Sequence, residues 1–255
     1  MRPIAECESM MKRMIAVSIV SHGHGEMVEC LAVALLGCNQ VNRILLTINL
    51  PEELHLPQDE RITVIRNPQP KGFGANHNAA FLLCRETYFC VVNPDIELIG
   101  NPFAELLAEI ERTHSALAAP LVTAPQGHIE DSIRYFPTLI SLGKKFFGVS
   151  DGRYSVEHGQ ESFCPEWVAG MFMLFRSHDF LQLGGFDEGY FLYYEDVDVC
   201  ARIWKNGLKL IACPRVAVIH DARRDSHRSM RHLRWHLASM GRYFLKYAGR
   251  LPSAV

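Results

Sequence analysis

Three acids fall within four residues at Glu195, Asp196 and Asp198, directly behind the aromatic stretch Tyr190-Phe191-Leu192-Tyr193-Tyr194. A carboxylate held in a partly apolar wall suits a general base, and Asp196 is the candidate for it. Acids in the first turn of a helix also complement its dipole, a role that Glu195 and Asp198 could fill. Another carboxylate, Asp95 in Asn93-Pro94-Asp95, follows an apolar run over 88–92. There it could hold a divalent cation or a ribose hydroxyl, or the three residues could simply turn the chain. The segment Arg66-Asn67-Pro68-Gln69-Pro70-Lys71-Gly72-Phe73-Gly74-Ala75-Asn76-His77-Asn78 joins glycines to the start of a helix. Glycines let a ligand approach the backbone and helix starts favour anions, although an ordinary loop and cap reads the same. His22 and His24 in Ser21-His22-Gly23-His24-Gly25 could ligate a metal or serve as polar loop residues. The third glycine of a G-x-G-x-x-G fingerprint is replaced by Val28, which argues against a dinucleotide-binding dehydrogenase.

Something must hold these residues in place. The apolar runs over 15–20, 43–48, 62–65, 88–92 and 116–122 read as strands. Residues 26–38, 75–85 and 102–114 read as helices between them, the last with Asn101 as cap and Pro102 at its first position. Such alternation predicts an α/β domain with a mostly parallel sheet flanked by helices, and ligands then bind beyond the carboxyl ends of the strands. The second half is less regular. Residues 138–162 read as a long loop, and 166–175 as strand-like. A short helix is expected over 177–183, then a longer one over 195–206 ended by Gly207. Residues 209–219 read as a strand broken at Pro214. A final amphipathic helix over 228–247 carries Leu233, Leu237, Met240, Phe244 and Tyr247 on one stripe.

Composition narrows the class. The 255 residues carry 26 Lys and Arg against 28 Asp and Glu, and 48% are apolar. The chain is too apolar for disorder and too balanced to be a polyanion binder as a whole, so no nucleic-acid partner is expected. Acids at Glu6 and Glu8 interrupt the place of a signal peptide, and no apolar run approaches the ~20 residues of a membrane span. The eight cysteines form no C-x-x-C pair, which fits buried free thiols in a cytoplasmic protein. Charge is nevertheless uneven. From Ala222 onward eight Lys and Arg face one acid, Asp225. That basic amphipathic segment could be a solvated face or could meet diphosphate or anionic lipid.

In their order along the chain these motifs resemble glycosyltransferase family 2, inverting enzymes of the GT-A fold. The resemblance runs over 14–247. It is carried by 67–78, by Val91-Val92-Asn93-Pro94-Asp95, and by the G-G-F-D-E…Y-E-D-V-D…R pattern of 184–202. The Asn-Pro-Asp and Phe-Leu-Tyr-Tyr-Glu-Asp forms look most like the rhamnosyltransferase-like branch that builds surface polysaccharide. The resemblance implies Asp196 as catalytic base beside Glu195. It places Ser21, His22, Asn49, Asn67, Lys71, Gly72, Asn76, Asn93, Asp95, Trp167 and Gly170 around a nucleotide sugar. It implies Mg²⁺ or Mn²⁺ on Asp95 and His220, and diphosphate contacts from Arg223 or Arg228. Relatives usually carry an acid after the second strand, where this chain has Thr47-Ile48-Asn49.

The expected organisation is one domain over 1–255. It comprises a nucleotide-sugar half over 14–100, an acceptor half over 101–222 and a basic C-terminal helix over 223–255. The expected partners are a dTDP-rhamnose- or UDP-hexose-like donor and a saccharide or lipid-linked acceptor. A membrane surface at its inner face and a second copy of the chain are further candidates. The alternatives are a degenerate, non-catalytic nucleotide binder and a sugar-nucleotide pyrophosphorylase. The latter would need an Arg and a Lys in the first loop, and 21–25 has neither.

Overall fold

The apolar run Ile15–Ser21 forms β1, a strand with every residue buried, as a central parallel strand must be. The structure, a computed structural model, describes residues 14–146, 148, 152–221 and 230–253. Along the chain follow α1 (Glu26–Leu36), β2 (Val41–Ile48), β3 (Ile62–Arg66), α2 (Phe73–Phe81), β4 (Tyr88–Val92) and β5 (Ile96–Leu98). Next come α3 (Phe103–Thr113), β6 (Leu117–Thr123), β7 (Ile133–Arg134), α4 (Leu139–Phe146), β8 (Trp167–Val168) and β9 (Phe172–Arg176). The last are α5 (Ser177–Gln182), α6 (Glu195–Lys205), β10 (Leu210–His220) and α7 (Met230–Tyr247).

The main sheet has the strand order β3-β2-β1-β4-β9-β6-β10-β5. β1 runs parallel to β2 and β4, β2 to β3, and β6 to β10. The mostly parallel sheet is therefore present, with β9 reversed between β4 and β6 and β5 reversed against β10. Side chains alternate across it. Ile15, Val17 and Ile19 pack with Val28 and Leu31 of α1 and Phe103 and Leu106 of α3. Ala16, Phe89 and Val91 face Ala80 of α2, Phe180 of α5 and Val197 of α6. No described helix is long and apolar enough to cross a membrane. The described cysteines are free; Cys38, Cys90, Cys200 and Cys213 are buried as expected, whereas Cys30 is exposed.

Several boundaries differ from expectation for identifiable reasons. Asn101 caps α3 as foreseen, its Oδ1 accepting the Phe103 N–H at 3.0 Å. The helix expected over 75–85 is shorter and earlier, because the Phe73 N–H is engaged by Phe191 O at 2.9 Å and the chain turns after Phe81. The expected loop 138–162 contains α4. Thr138 and Ser141 start it with a reciprocal pair: Ser141 N–H donates to Thr138 Oγ1 (2.9 Å) and Thr138 N–H to Ser141 Oγ (2.8 Å). The stretch 166–175 divides, β8 pairing with β7 in a separate small sheet and β9 entering the main one. The stripe expected on the last helix is corrected in part. Of that stripe Tyr247 is buried and Met240 and Phe244 pack against the core, beside Ser239 and Tyr243, whereas Leu233 and Leu237 are half exposed. Its rotation follows its polar and aromatic partners: Tyr193 Oη and His232 Nδ1 are 3.0 Å apart, and His236 packs on the Tyr193 and Tyr194 rings.

Candidate active site

The carboxyl ends of β1, β2 and β3 lie side by side, with Ser21 opposite Ile48 and Ile48 opposite Arg66. The pairing continues one step beyond, Asn49 N–H to Ser21 O (2.9 Å) and Asn67 N–H to Ile48 O (3.1 Å). This brings His22, Asn49 and Asn67 together. Asn49 Nδ2 donates to His22 Nε2 (2.7 Å) and Lys71 O (3.0 Å). Its Oδ1 accepts from Lys71 N–H (2.9 Å) and Asn67 Nδ2 (2.7 Å). Asn67 Nδ2 also reaches Asn76 Oδ1 (2.6 Å), and Asn76 Nδ2 donates to Lys71 O and Gly72 O. A carboxylate at position 49 could not make the two donations, which is a physical reason for an amide there. Glu52 supplies the nearby acid instead, accepting the Gly23 and Gly25 N–H groups at 3.1 Å each. Burial of the His22 ring, then the neighbouring His24, lower its pKa, so it accepts as the neutral imidazole. Ser21 is buried and its hydroxyl accepts the His24 N–H, while the Lys71 side chain is exposed.

Gly72 uses its lack of a Cβ within the protein itself. An added Cβ would stand 2.5 Å from Phe191 O, a backbone atom that cannot swing away. Gly72→Ala is therefore expected to destabilise the fold by about 1–3 kcal/mol through overpacking. It should also loosen the bond from Phe73 N–H to Phe191 O. Urea denaturation with wild type as reference measures the first effect; an unchanged midpoint would show that the two segments can separate freely.

Asp95 and His220 are brought together by β5, which pairs antiparallel to the end of β10 with Ile96 opposite His220. Asp221 N–H closes the corner on Asp95 O at 2.9 Å. His220 Nε2 lies 3.3 Å from Asp95 Oδ2, and Nδ1 lies 2.8 Å from Glu130 Oε2. Burial alone would lower the imidazole's pKa; hydrogen bonds and charge from Asp95 and Glu130 outweigh it and push it up to about 9. Asp95 Oδ1 is buried without a hydrogen-bond partner. With its proton displaced, Nε2 and the Asp95 carboxylate would suit a divalent cation, and Glu130 on Nδ1 fixes the ring so that Nε2 faces Asp95. Among the described residues no group of three or more His, Cys, Asp or Glu forms a complete cage. The remaining ligands would have to come from a substrate and water. Asn93 lies beside this pair, its N–H held by Met171 O at 2.9 Å.

Met171 leads back to the acids of α6. Its neighbour Gly170 donates its N–H to Asp196 Oδ2 at 3.0 Å, and Val197 N–H donates to Asp196 Oδ1 at 2.8 Å. Both oxygens are thereby fixed at the wall of a cavity of about 240 Å³, lined also by Arg134, Trp167, Tyr193, Glu195 and His236. Trp167 is held by Nε1–H donation to Tyr135 O (2.9 Å), with the Arg134 guanidinium 5.7 Å from its ring centre. Burial raises the Asp196 pKa, against the Gly170 and Val197 N–H groups and the Arg134 charge, which lower it. Glu195 is raised much further, by burial and then by Asp196, and its Oε2 is buried without a partner. The two adjacent carboxyls therefore titrate as a pair, and Asp196, with both oxygens held at the cavity wall, is the member placed to accept a proton.

Arg223 and Arg228 lie outside the described residues. The residues that shape the approach to the acids belong to motifs whose structural role the sequence did not show. Tyr193 and Tyr194 both adopt left-handed backbone (φ 70° and 69°), at a cost of roughly 1–2 kcal/mol each for a side chain with a Cβ. They form the sharp turn that presents Glu195 and Asp196, and α7 holds it through His232, His236 and Tyr243. Asp187 straps the same helix down. Burial would raise its pKa, but Lys246 (2.7 Å), the Gly189 N–H and Arg242 (2.9 Å) hold it at about 2. Glu130 and Arg134 carried no motif at all.

Comparison with known proteins gives concordant matches. The sequence profile described as glycosyl transferase family 2 matches residues 49–164, and one described as the N-terminal domain of galactosyltransferase matches 156–232. The chain is 29% identical to rhamnosyltransferase WbbL of Escherichia coli over 246 residues, 91% of this chain and 93% of that one. It is 32% identical over 163 residues to the N-acetylglucosaminyl-diphospho-decaprenol L-rhamnosyltransferase of Mycobacterium tuberculosis, covering 60% of this chain and about half (52%) of that protein. Among solved structures, GalNAc-T7 with UDP, GalNAc and Mn²⁺ matches with a TM-score of 0.66 at 17% identity, over 84% of this chain and 44% of that one. A Pyrobaculum calidifontis mannosyltransferase with GDP-Man and Mn²⁺ gives 0.64 at 13%, over 96% of this chain and 66% of that one. At such identities the structural matches speak for the fold alone.

Proposed function

We propose that the chain is a member of glycosyl transferase family 2 whose donor is a dTDP-rhamnose- or UDP-hexose-like sugar nucleotide. It is an inverting glycosyltransferase of polysaccharide synthesis. The acceptor in our reading is a hydroxyl on a saccharide or a lipid-linked saccharide. The observation that carries this reading is Asp196, fixed through both oxygens at the wall of the cavity beside Trp167.

In this reading Asp196 takes the proton from the acceptor hydroxyl as it attacks the anomeric carbon from the face opposite the leaving group. The bond to the nucleoside diphosphate breaks as the new glycosidic bond forms, and the transition state is oxocarbenium-like. Burial and the neighbouring Asp196 raise the Glu195 pKa, which disfavours a second negative charge beside the base. Trp167 and Gly170 shape the floor on which the two sugars meet. The Asn49–Asn67–Asn76 network fixes the strand-end loops that receive the nucleoside, with His22 and Lys71 at their rim.

Asp95 and His220 would hold Mg²⁺ or Mn²⁺, which when bound neutralises charge on the departing diphosphate. Arg223 and Arg228 would add to that neutralisation. Isothermal titration with UDP, dTDP and GDP in the presence of Mn²⁺ tests the assignment. One nucleotide should bind to wild type with an affinity that chelation reduces. Asp95→Ala should weaken binding at least about tenfold and make it indifferent to chelation. If wild type binds none of the three, the chain is the non-catalytic relative instead.

A further inference from the structure

The cavity that holds Asp196 has helices on two of its walls. Ser141 and Leu142 of α4 line one part of it and His236 of α7 another. Both helices turn large apolar side chains away from the protein. Leu139 and Ile140 on α4 are 72% and 74% exposed. On α7, Met230, Leu233, Leu237 and Leu245 are between 49% and 84% exposed; the first three recur at three- and four-residue spacing and Leu245 follows two turns later, so they share one side. The opposite face, with Ser239, Tyr243 and Tyr247, is the one that packs on the fold. The exposed leucines are therefore not core residues of this domain. On α7 the Trp235 ring packs, tilted by 33°, against Phe191 with centroids 4.7 Å apart, and Arg231 lies over Trp235.

Charge says what such a surface fits. None of the chain's 28 acids falls within 132–150 or 226–255, which contain α4 and α7, yet these segments carry nine of its 26 Lys and Arg, three of which (Arg134, Arg242 and Lys246) pair with Asp131, Asp187 and Asp198 elsewhere in the fold. A second copy meeting this face across a two-fold axis would set Arg231 and Arg234 against cations, with no acid on either helix to answer them. Apolar side chains with a basic margin and an aromatic pair fit the headgroup boundary of an anionic bilayer.

We propose that α4 and α7 dock on an anionic lipid bilayer, one helix on each side of the mouth of the Asp196 cavity. The protein then works on an acceptor whose lipid stays in the membrane. That use rests on the glycosyl transfer proposed above; the docking itself does not.

The experiment is flotation of the full chain with vesicles of phosphatidylcholine alone, and of phosphatidylcholine mixed with phosphatidylglycerol. No nucleotide or acceptor is added, so a failed transfer assay and a failed flotation are separate results. Wild type should float with the mixed vesicles, less as salt is raised, and stay behind with phosphatidylcholine alone. Leu139→Glu/Ile140→Glu and Leu233→Glu/Leu237→Glu should each lower partition at least about tenfold. Their melting temperatures and nucleotide affinities should match wild type. Arg231→Gln/Arg234→Gln leaves the apolar face in place and should remove part of the salt-sensitive binding. The proposal is overturned if wild type ignores the mixed vesicles, or if the glutamate variants float as wild type does. It is equally overturned if light scattering shows a dimer that Leu233→Glu/Leu237→Glu converts to monomer, because a second copy then covers the face.

Discussion

Asp196→Asn is expected to lower kcat for sugar transfer by about 10²–10⁴-fold while leaving nucleotide affinity within a factor of about two. Asparagine matches the shape of aspartate, and its amide can still accept the Gly170 or Val197 N–H that now fixes Asp196 Oδ2 and Oδ1. What it cannot do is take a proton. Interactions used only in the transition state lower kcat and kcat/KM together, so that pattern separates a base from a residue that merely shapes the pocket. A pH profile gives a second readout. Burial raises the Asp196 pKa, so the fraction of enzyme with an ionised base falls, as pH is lowered, at a higher pH than for an aspartate at its ordinary 3.8. Glu195→Gln removes the neighbouring carboxyl that shares the pair's proton, so it should shift that acid limb without abolishing turnover. Full activity in Asp196→Asn would mean that the acceptor hydroxyl loses its proton elsewhere.

Much of this was legible from residue order because strand ends are where a parallel sheet exposes its chemistry. The run 15–20 and its counterparts could only be buried strands, so Asn93-Pro94-Asp95 and the residues after Ser21 had to lie on one edge. The coupling of distant motifs was not legible. Asn78 brackets Phe186, Oδ1 accepting its N–H and Nδ2 donating to its C=O, each at 2.9 Å. Gly185 sits beside that bond with φ +69° and no room for a Cβ, which joins the 67–78 segment to the G-G-F-D-E segment. No local pattern announces such a contact. Glu130 was invisible for the same reason, since it meets His220 only because β10 returns beside β6. α4 was missed because a Thr–Ser pair is a weak start signal, and the stripe on α7 because periodicity finds an apolar face without saying what covers it.

The third acid of the cluster belongs to the frame, and its removal should cost more stability than any other single change considered. Asp198 is fully buried and accepts at one oxygen from Arg202 Nε (2.8 Å) and at the other from Tyr247 Oη (2.9 Å) and Lys246 (2.6 Å). An exposed pair at this helical spacing contributes about 0.3–0.5 kcal/mol. Here the carboxylate is fully buried, so Asp198→Ala leaves two cations and a tyrosine hydroxyl facing a cavity. Breaking a buried pair from one side costs about 3–5 kcal/mol. Arg202 keeps Leu183 O and Gly185 O, and Lys246 keeps Asp187, which places the expected loss at the lower end, about 3 kcal/mol. Against a total of about 5–15 kcal/mol for a folded domain, that is enough to lower the urea midpoint markedly. Asp198→Asn should recover part of the loss, because its amide can still accept from Arg202 or Tyr247. The same hub joins α6 to α7, so turnover in Asp198→Ala should fall less than in Asp196→Asn and should respond to temperature. A variant as stable as wild type but inactive would move Asp198 out of the frame and into the chemistry.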